Sequence, residues 1–319
     1  MLIALAFTLA APPVQVAPAP RLVGELVELT TTTGTLRGTI DLPDRPAPWP
    51  IVILHAGSGP TDRDGNGPLT QTNNLKMLGR ALAAEGIAVL RIDKRGIAAS
   101  MFALAREEEA TLDSYAKDVL GWVVKVRQDP RFSKLGFIGH SEGAFIGLLA
   151  AKEAKFDVFV SLCGMGRTYP ELLREQLKAN LSEELFQASG KIIAELEAGR
   201  SVKDIPKGLE LLFRPSVQPF LISAFKHDPA KLIADVKCPV LVVSGATDIQ
   251  VKAADAKRLG DANPKAKLVT VKGMNHVLKA VDATERLAQL PSYMDPSLPL
   301  HPRLFLEVGG FVKPLLVGK

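Results

Sequence analysis

Cysteine is scarce: the chain has two, Cys163 and Cys238, in 319 residues. Two cysteines allow one disulfide, but their positions argue against it. Cys163 follows the strand-like run 156–162 and Cys238 precedes the strand-like run 240–244. In a parallel sheet they lie at opposite strand ends, about 16 Å apart for five residues, while a disulfide needs Cα atoms within about 7 Å. Two free, buried thiols are expected. No segment past the first residues reaches the roughly 20 apolar residues of a membrane span, so stable membrane insertion is not expected. Charge of one sign is also in short supply. The net charge is +5, and the excess is spread thinly, with no basic stripe interleaved with aromatics. That excludes the usual footprint of a nucleic-acid binder. There is no internal repeat.

Residues 1–11 read MLIALAFTLAA, followed by a Pro/Ala/Val tract to residue 20. An apolar run ending in small residues has the pattern of a secretory signal peptide, although no Lys or Arg precedes it. Residues 1–20 are therefore expected to be a signal peptide and leader. A periplasmic or secreted protein follows from that, with a cytoplasmic one as the alternative.

What is present is globular: 47% hydrophobic and 23% charged residues, enough for a sizeable core. Past residue 20 the pattern alternates. Residues 25–31 and 36–41 read as a hairpin around Gly34. Short apolar runs at 51–54, 87–92, 135–138 and 156–162 suit strands buried on both faces. Between them lie helical patterns. One has Leu75, Leu78, Ala81 and Leu82 on one side, with Asn73 and Asn74 as possible caps and Gly86 at its end. A second runs from Leu112 to Asp129-Pro130, and a third spans 143–154. From 167 to 235 the alternation stops. The segment reads as a helical insertion, with Leu172, Leu173, Gln176 and Leu177 in one stripe and Ile192, Ile193 and Leu196 in another. The rhythm resumes at 240–244, 253–259 and 267–271. After a Pro-rich stretch, 291–302, a last helix is expected near 304–316. Alternating strands and helices predict an α/β fold, a mostly parallel sheet with helices on both faces, and sites beyond the carboxyl ends of its strands.

At one such end stands Gly139-His140-Ser141-Glu142-Gly143, after a strand and at the start of a helix. The G-x-S-x-G pattern acquires meaning in that context: a sharp turn presents the serine hydroxyl beside a helix amino terminus. A serine hydroxyl needs a base. Of the five histidines, His276 alone follows a late strand at its carboxyl end. His140 adjoins the serine, but the turn is expected to point it away. His55, His227 and His301 sit elsewhere. The acid that orients the base is expected between serine and histidine in the chain. Asp248, past the run 240–244, fits; Asp255 and Asp261 are expected to be solvated on the following helix. The oxyanion is assigned to the backbone N–H groups of Glu142 and Ser58, with Gly57 as second choice for the latter.

Several loops carry other signals that fail on inspection. Residues 55–60 lack the lysine of a phosphate loop. Residues 61–67 resemble a calcium loop but lack its closing Glu. Arg63 there is expected to pair with a carboxylate. No metal and no cofactor are expected.

The stretches 57–66, 86–96, 139–143, 244–251 and 273–276, with the insertion run 212–229, together resemble bacterial α/β-hydrolases of the exported esterase and serine-aminopeptidase-like type. The resemblance runs from about residue 24 to 316. It implies a core of residues 21–166 and 236–319, a cap at 167–235, and ester hydrolysis through an acyl-enzyme on small-molecule esters, with short acyl chains expected. One departure is Ala98, near which relatives often carry glycine. A serine peptidase or amidase is the alternative, though the sequence offers no visible anchor for a charged peptide terminus. A catalytically silent binding protein is a further alternative.

Overall fold

The computed structural model describes residues 23–318, so the leader expected at 1–20 lies outside the described residues. Eight strands form one sheet in the order β1-β2-β4-β3-β5-β6-β7-β8. They are β1 (Val23–Thr31), β2 (Gly34–Leu42), β3 (Trp49–His55), β4 (Ala88–Ile92), β5 (Phe132–His140), β6 (Val158–Leu162), β7 (Val240–Gly245) and β8 (Lys267–Val271). β1–β2 and β2–β4 pair antiparallel; the remaining neighbours are parallel. Strands β3 and β4 have no exposed residue, because helices cover both faces.

The two faces follow from the direction of travel. From β3 to β4 the chain moves one way along the sheet, through helix α1 (Asn74–Ala84). From β4 to β5 it moves back past β3, through α2 (Leu112–Gln128), and on to β6 through α3 (Glu142–Ala154). Right-handed crossovers in opposite directions put their helices on opposite faces. Alternate residues of each strand then feed alternate cores. Ile51 and Ile53 pack with Trp122 and Phe145 on the α2–α3 face. Val52 and Leu54 pack with Leu75 and Leu78 of α1, and with Leu304 and Val308 of the last helix, on the other.

Between β6 and β7 run α4 (Tyr169–Asn180), α5 (Glu183–Glu197), α6 (Glu210–Phe213), α7 (Gln218–Phe225) and α8 (Pro229–Ala234). Leu173, Leu177, Ile192, Ile193, Phe213 and Leu221 form a small core among them. α9 (Ala253–Ala262) joins β7 to β8, and α10 (Arg286–Met294) and α11 (Pro302–Leu316) follow. No helix among the described residues is long and apolar enough to cross a membrane.

Four sequence expectations need correction. Asp255 is not solvated. It is fully buried and accepts hydrogen bonds from the backbone N–H groups of Gly166 and Arg167 and from the Arg167 guanidinium. Cys238 is a free thiol but only half-buried, whereas Cys163 is buried. Asn73 does not cap α1 with its side chain. It takes φ 50° and accepts from Asn66 instead, while the Asp64 carbonyl accepts from Leu75 and Lys76. The Pro-rich stretch contains part of α10, with Pro291 inside the helix.

Candidate active site

Strands β3 and β5 are sheet neighbours at the point where the chain reverses direction, and the site sits beyond their carboxyl ends. Ser141 stands alone between β5 and α3 at φ 54° and ψ −123°, a left-handed backbone that a non-glycine residue rarely takes. The two motif glycines are steric requirements of this turn. A Cβ on Gly139 would come within 2.4 Å of the Ala144 backbone. A Cβ on Gly143 would meet the carbonyl oxygens of His55 and Ala56 at 2.5 Å. Only glycine lets α3 pack so tightly on β5 and β3.

His276 follows β8. Its Nδ1 lies 2.7 Å from Asp248 Oδ2, in the loop after β7. A carboxylate only accepts, so Nδ1 carries the proton and Nε2 is left as the free lone pair. Asp248 Oδ1 accepts from the N–H groups of Gln250 and Val251 at 2.8 and 2.9 Å. Burial pushes the Asp248 carboxyl upward, but the His276 ring and those two amides outweigh it and hold it below the usual carboxylate range. Asp248 is therefore ionised at neutral pH. Ser141 and His276 line one pocket of about 190 Å³ without a direct hydrogen bond between them. Such bonds are often long in ligand-free enzymes.

His140 is buried and points at this loop. Its Nε2 donates to the His276 carbonyl oxygen at 2.8 Å, and the two rings are 5.0 Å apart. Burial, with the neighbouring His276, lowers its pKa to about 4. With that proton committed to a carbonyl, His140 ties the end of β5 to the His276 loop. His55 is buried at the end of β3, and burial with Lys94 nearby lowers it to about 3. His227 pairs with Asp113 at 2.9 Å, away from the serine.

The loop after β3 faces Ser141. Gly57 is buried against it, and Ser58 lines the pocket. Neither the Gly57 nor the Ser58 N–H donates to a protein acceptor among the described residues. Glu142 opens α3, so its N–H belongs to the first turn, which has no intrahelical partner. The loop is set by a charged group just past the end of β4. Buried Lys94 donates through Nζ to the carbonyl oxygens of Gly57 and Gly59. Arg63 pairs with Asp93, and Arg91 with Asp41 and Asp64. In the calcium-like loop Asp64 is thus paired with Arg91, and Asp62 Oδ1 accepts from the N–H groups of Asp64 and Asn66.

A larger pocket of about 760 Å³ opens from the same serine. Its walls are mostly apolar and come from α4 (Leu172, Leu173), α7 (Phe220, Leu221) and the segment after β4 (Met101, Leu104). Cys163 lies beside the Asp248–His276 pair, with ligating atoms of all three within 4.8 Å of one another. Burial, then the Asp248 charge, pushes the Cys163 thiol well up, so it keeps its proton. A protonated thiol beside a carboxylate and imidazole already bonded to each other is not a ready cation site.

The sheet order, the sharp Ser141 turn after β5 and the His276–Asp248 pair are the arrangement of the α/β-hydrolase fold. Residues 67–200 match the family described as Serine aminopeptidase, S33. Esterase EstD of Thermotoga maritima is 28% identical over 256 residues, covering 79% of this chain and 60% of that protein. The chain thus spans less than two thirds of that relative's length. Among solved structures, Est1E from Butyrivibrio proteoclasticus superposes with a TM-score of 0.56 at 18% identity, covering 84% of this chain and 94% of the other. The acylaminoacyl peptidase of Pyrococcus horikoshii superposes at 0.57 and 14% identity, covering 93% and 42%. The chain has the α/β-hydrolase fold and is similar to esterases and to the serine aminopeptidases.

Proposed function

We propose that this chain hydrolyses carboxylic esters of small molecules through an acyl-enzyme. The observation that carries the reading is the strained Ser141 turn facing the same pocket as a His276 imidazole oriented by Asp248. His276 Nε2 takes the proton of the Ser141 hydroxyl as its oxygen attacks the ester carbonyl. The N–H groups of Glu142 and Ser58 hold the oxyanion. The protonated ring then gives its proton to the leaving alcohol. A water, deprotonated by the same ring, releases the acid and restores Ser141. The name of the relative from Thermotoga maritima agrees with ester substrates.

On this reading the helices of 167–235 cap a core of 21–166 and 236–319, since α4 and α7 supply pocket walls. The leader at 1–20 would direct export, which the mass of the mature amino terminus checks. The match to serine aminopeptidases keeps amide hydrolysis as the second reading.

The test is p-nitrophenyl ester hydrolysis from acetate to palmitate, with a maximum at short chains expected. Ser141→Ala should lose at least about a thousandfold in kcat and escape labelling by a fluorophosphonate. Ester turnover that survives in Ser141→Ala overturns the assignment. Turnover of amino-acid p-nitroanilides in preference to esters favours the second reading.

A further inference from the structure

The large pocket beside Ser141 has apolar walls but a charged foot. Glu142 is 2% exposed and Lys94 is 3% exposed, and both line it. Glu142 Oε2 accepts from the Tyr169 hydroxyl at 3.1 Å. Its other carboxylate oxygen accepts no hydrogen bond from the protein among the described residues, although this oxygen sits in a pocket where an unpaired charge is expensive. Lys94 spends two of its three N–H groups on the carbonyls of Gly57 and Gly59. Its Nζ lies 6.0 Å from the centre of the Tyr115 ring, and the Tyr115 hydroxyl, also on the pocket wall, has no protein partner among the described residues. The other charged groups of the pocket are committed: Arg95 to Asp118, Arg106 to Glu109, Arg214 to Glu107.

A free acceptor and a free donor of opposite charge at one apolar pocket's foot fit a group that donates and accepts at once. We infer that Glu142, with Lys94 and Tyr115 on the wall of the same pocket, is a specificity-determining residue selecting esters whose pocket-facing part carries a neutral hydroxyl. The hydroxyl donates to the open oxygen of Glu142 and accepts from Lys94 or Tyr115. An ammonium group would meet Glu142 too, but Lys94 would repel it. A methyl in the same place would cover the carboxylate oxygen without pairing it, at a cost in free energy. This deepens the ester-hydrolase reading and rests on it.

The experiment compares p-nitrophenyl phenylacetates and 3-phenylpropanoates bearing hydroxyl, methyl or aminomethyl at each ring position, with p-nitrophenyl butyrate as reference. For at least one ring position, kcat/KM should favour hydroxyl over methyl by about 10- to 100-fold. Glu142→Leu should bring that ratio to about one, and Glu142→Gln, which keeps an acceptor, should hold an intermediate value. If Glu142→Leu does not fold, Glu142→Gln and the wild-type series still decide. Methyl equal to or better than hydroxyl at every position, or an unchanged ratio in the variants, overturns the inference, while butyrate turnover by the unaltered protein leaves the ester reading standing. Preference for aminomethyl replaces the hydroxyl with a cation and overturns it as well. No turnover of any ester removes the ester reading and this inference together.

Discussion

Three residues of the proposed chemistry, Ser141, Asp248 and His276, were legible because each follows a strand and they come in the order serine, acid, base. Glu142 was visible only as a backbone amide. Its side chain, with Lys94 and Tyr169, gained meaning only when three distant segments closed over one pocket. Backbone strain is also set at single residues. Ala98, where the resemblance anticipated glycine, takes φ 46°. An alanine there carries about 1–2 kcal/mol of left-handed strain, and glycine's greater unfolded-state freedom offsets about half of that. Ala98→Gly is therefore expected to raise Tm by about 1–3 °C, read by thermal unfolding with ester turnover within about twofold. A lowered Tm would show that the loop holds Ala98 by contacts the backbone angle does not reveal.

Among the elements, the central strands and long helices followed from periodicity, since each buries apolar residues. α10 did not, because polar groups fasten it. Buried Gln289 donates to the carbonyls of Thr247 and Ala283 at 2.7 Å, Ser292 accepts from Asn275 at 2.8 Å, and Tyr293 accepts from Gln250 at 2.9 Å. Its apolar residues Leu287 and Met294 are exposed instead. α10 thereby braces the loops that carry Asp248 and His276. The same kind of fastening joins the start of the insertion to α9. Arg167 pairs with fully buried Asp255 at 2.8 Å and also with Glu175 of α4. Removing Asp255 leaves Arg167 with Glu175 alone and takes the acceptor from the N–H groups of Gly166 and Arg167. Asp255→Ala is expected to cost about 3 kcal/mol in urea unfolding. KM should rise more than kcat falls, because α4 supplies pocket wall rather than reacting groups. A loss below about 1 kcal/mol would mean that solvent satisfies Arg167 once its partner is gone.

For the molecule as a whole, the two buried histidines contribute to the acid side of stability, alongside carboxylates held low by their partners, such as Asp248. His55 and His140 are held neutral, with pKa values lowered to about 3 and about 4. Unfolded, each titrates near 6.5. Below that pH the unfolded chain binds more protons than the folded one, so unfolding free energy falls as pH falls. The contribution is complete above about pH 6.5 and is lost down to the folded values. Each histidine should cost about 2–3 kcal/mol by pH 4.5. Burial raises Glu142, Asp62 and Asp118 instead, and these gain stability in acid and partly offset the loss. Urea unfolding at pH 7.5, 5.5 and 4.5 should show a decline that is shallower in His55→Gln. Parallel curves for the variant and the wild type would sink this account.

The sequence by itself determined the α/β alternation, the elbow serine and the order of the three polar groups. Apolar spacing and glycine placement are local, and the chain reads them out over a few residues. Tertiary structure alone decided what distant charged side chains do. Asp255 became a buried anchor, Lys94 the clamp on the loop facing Ser141, and Glu142 the open acceptor at a pocket's foot. A charge is costly to bury without a partner, and the partner of each comes from a segment that no periodicity connects to it.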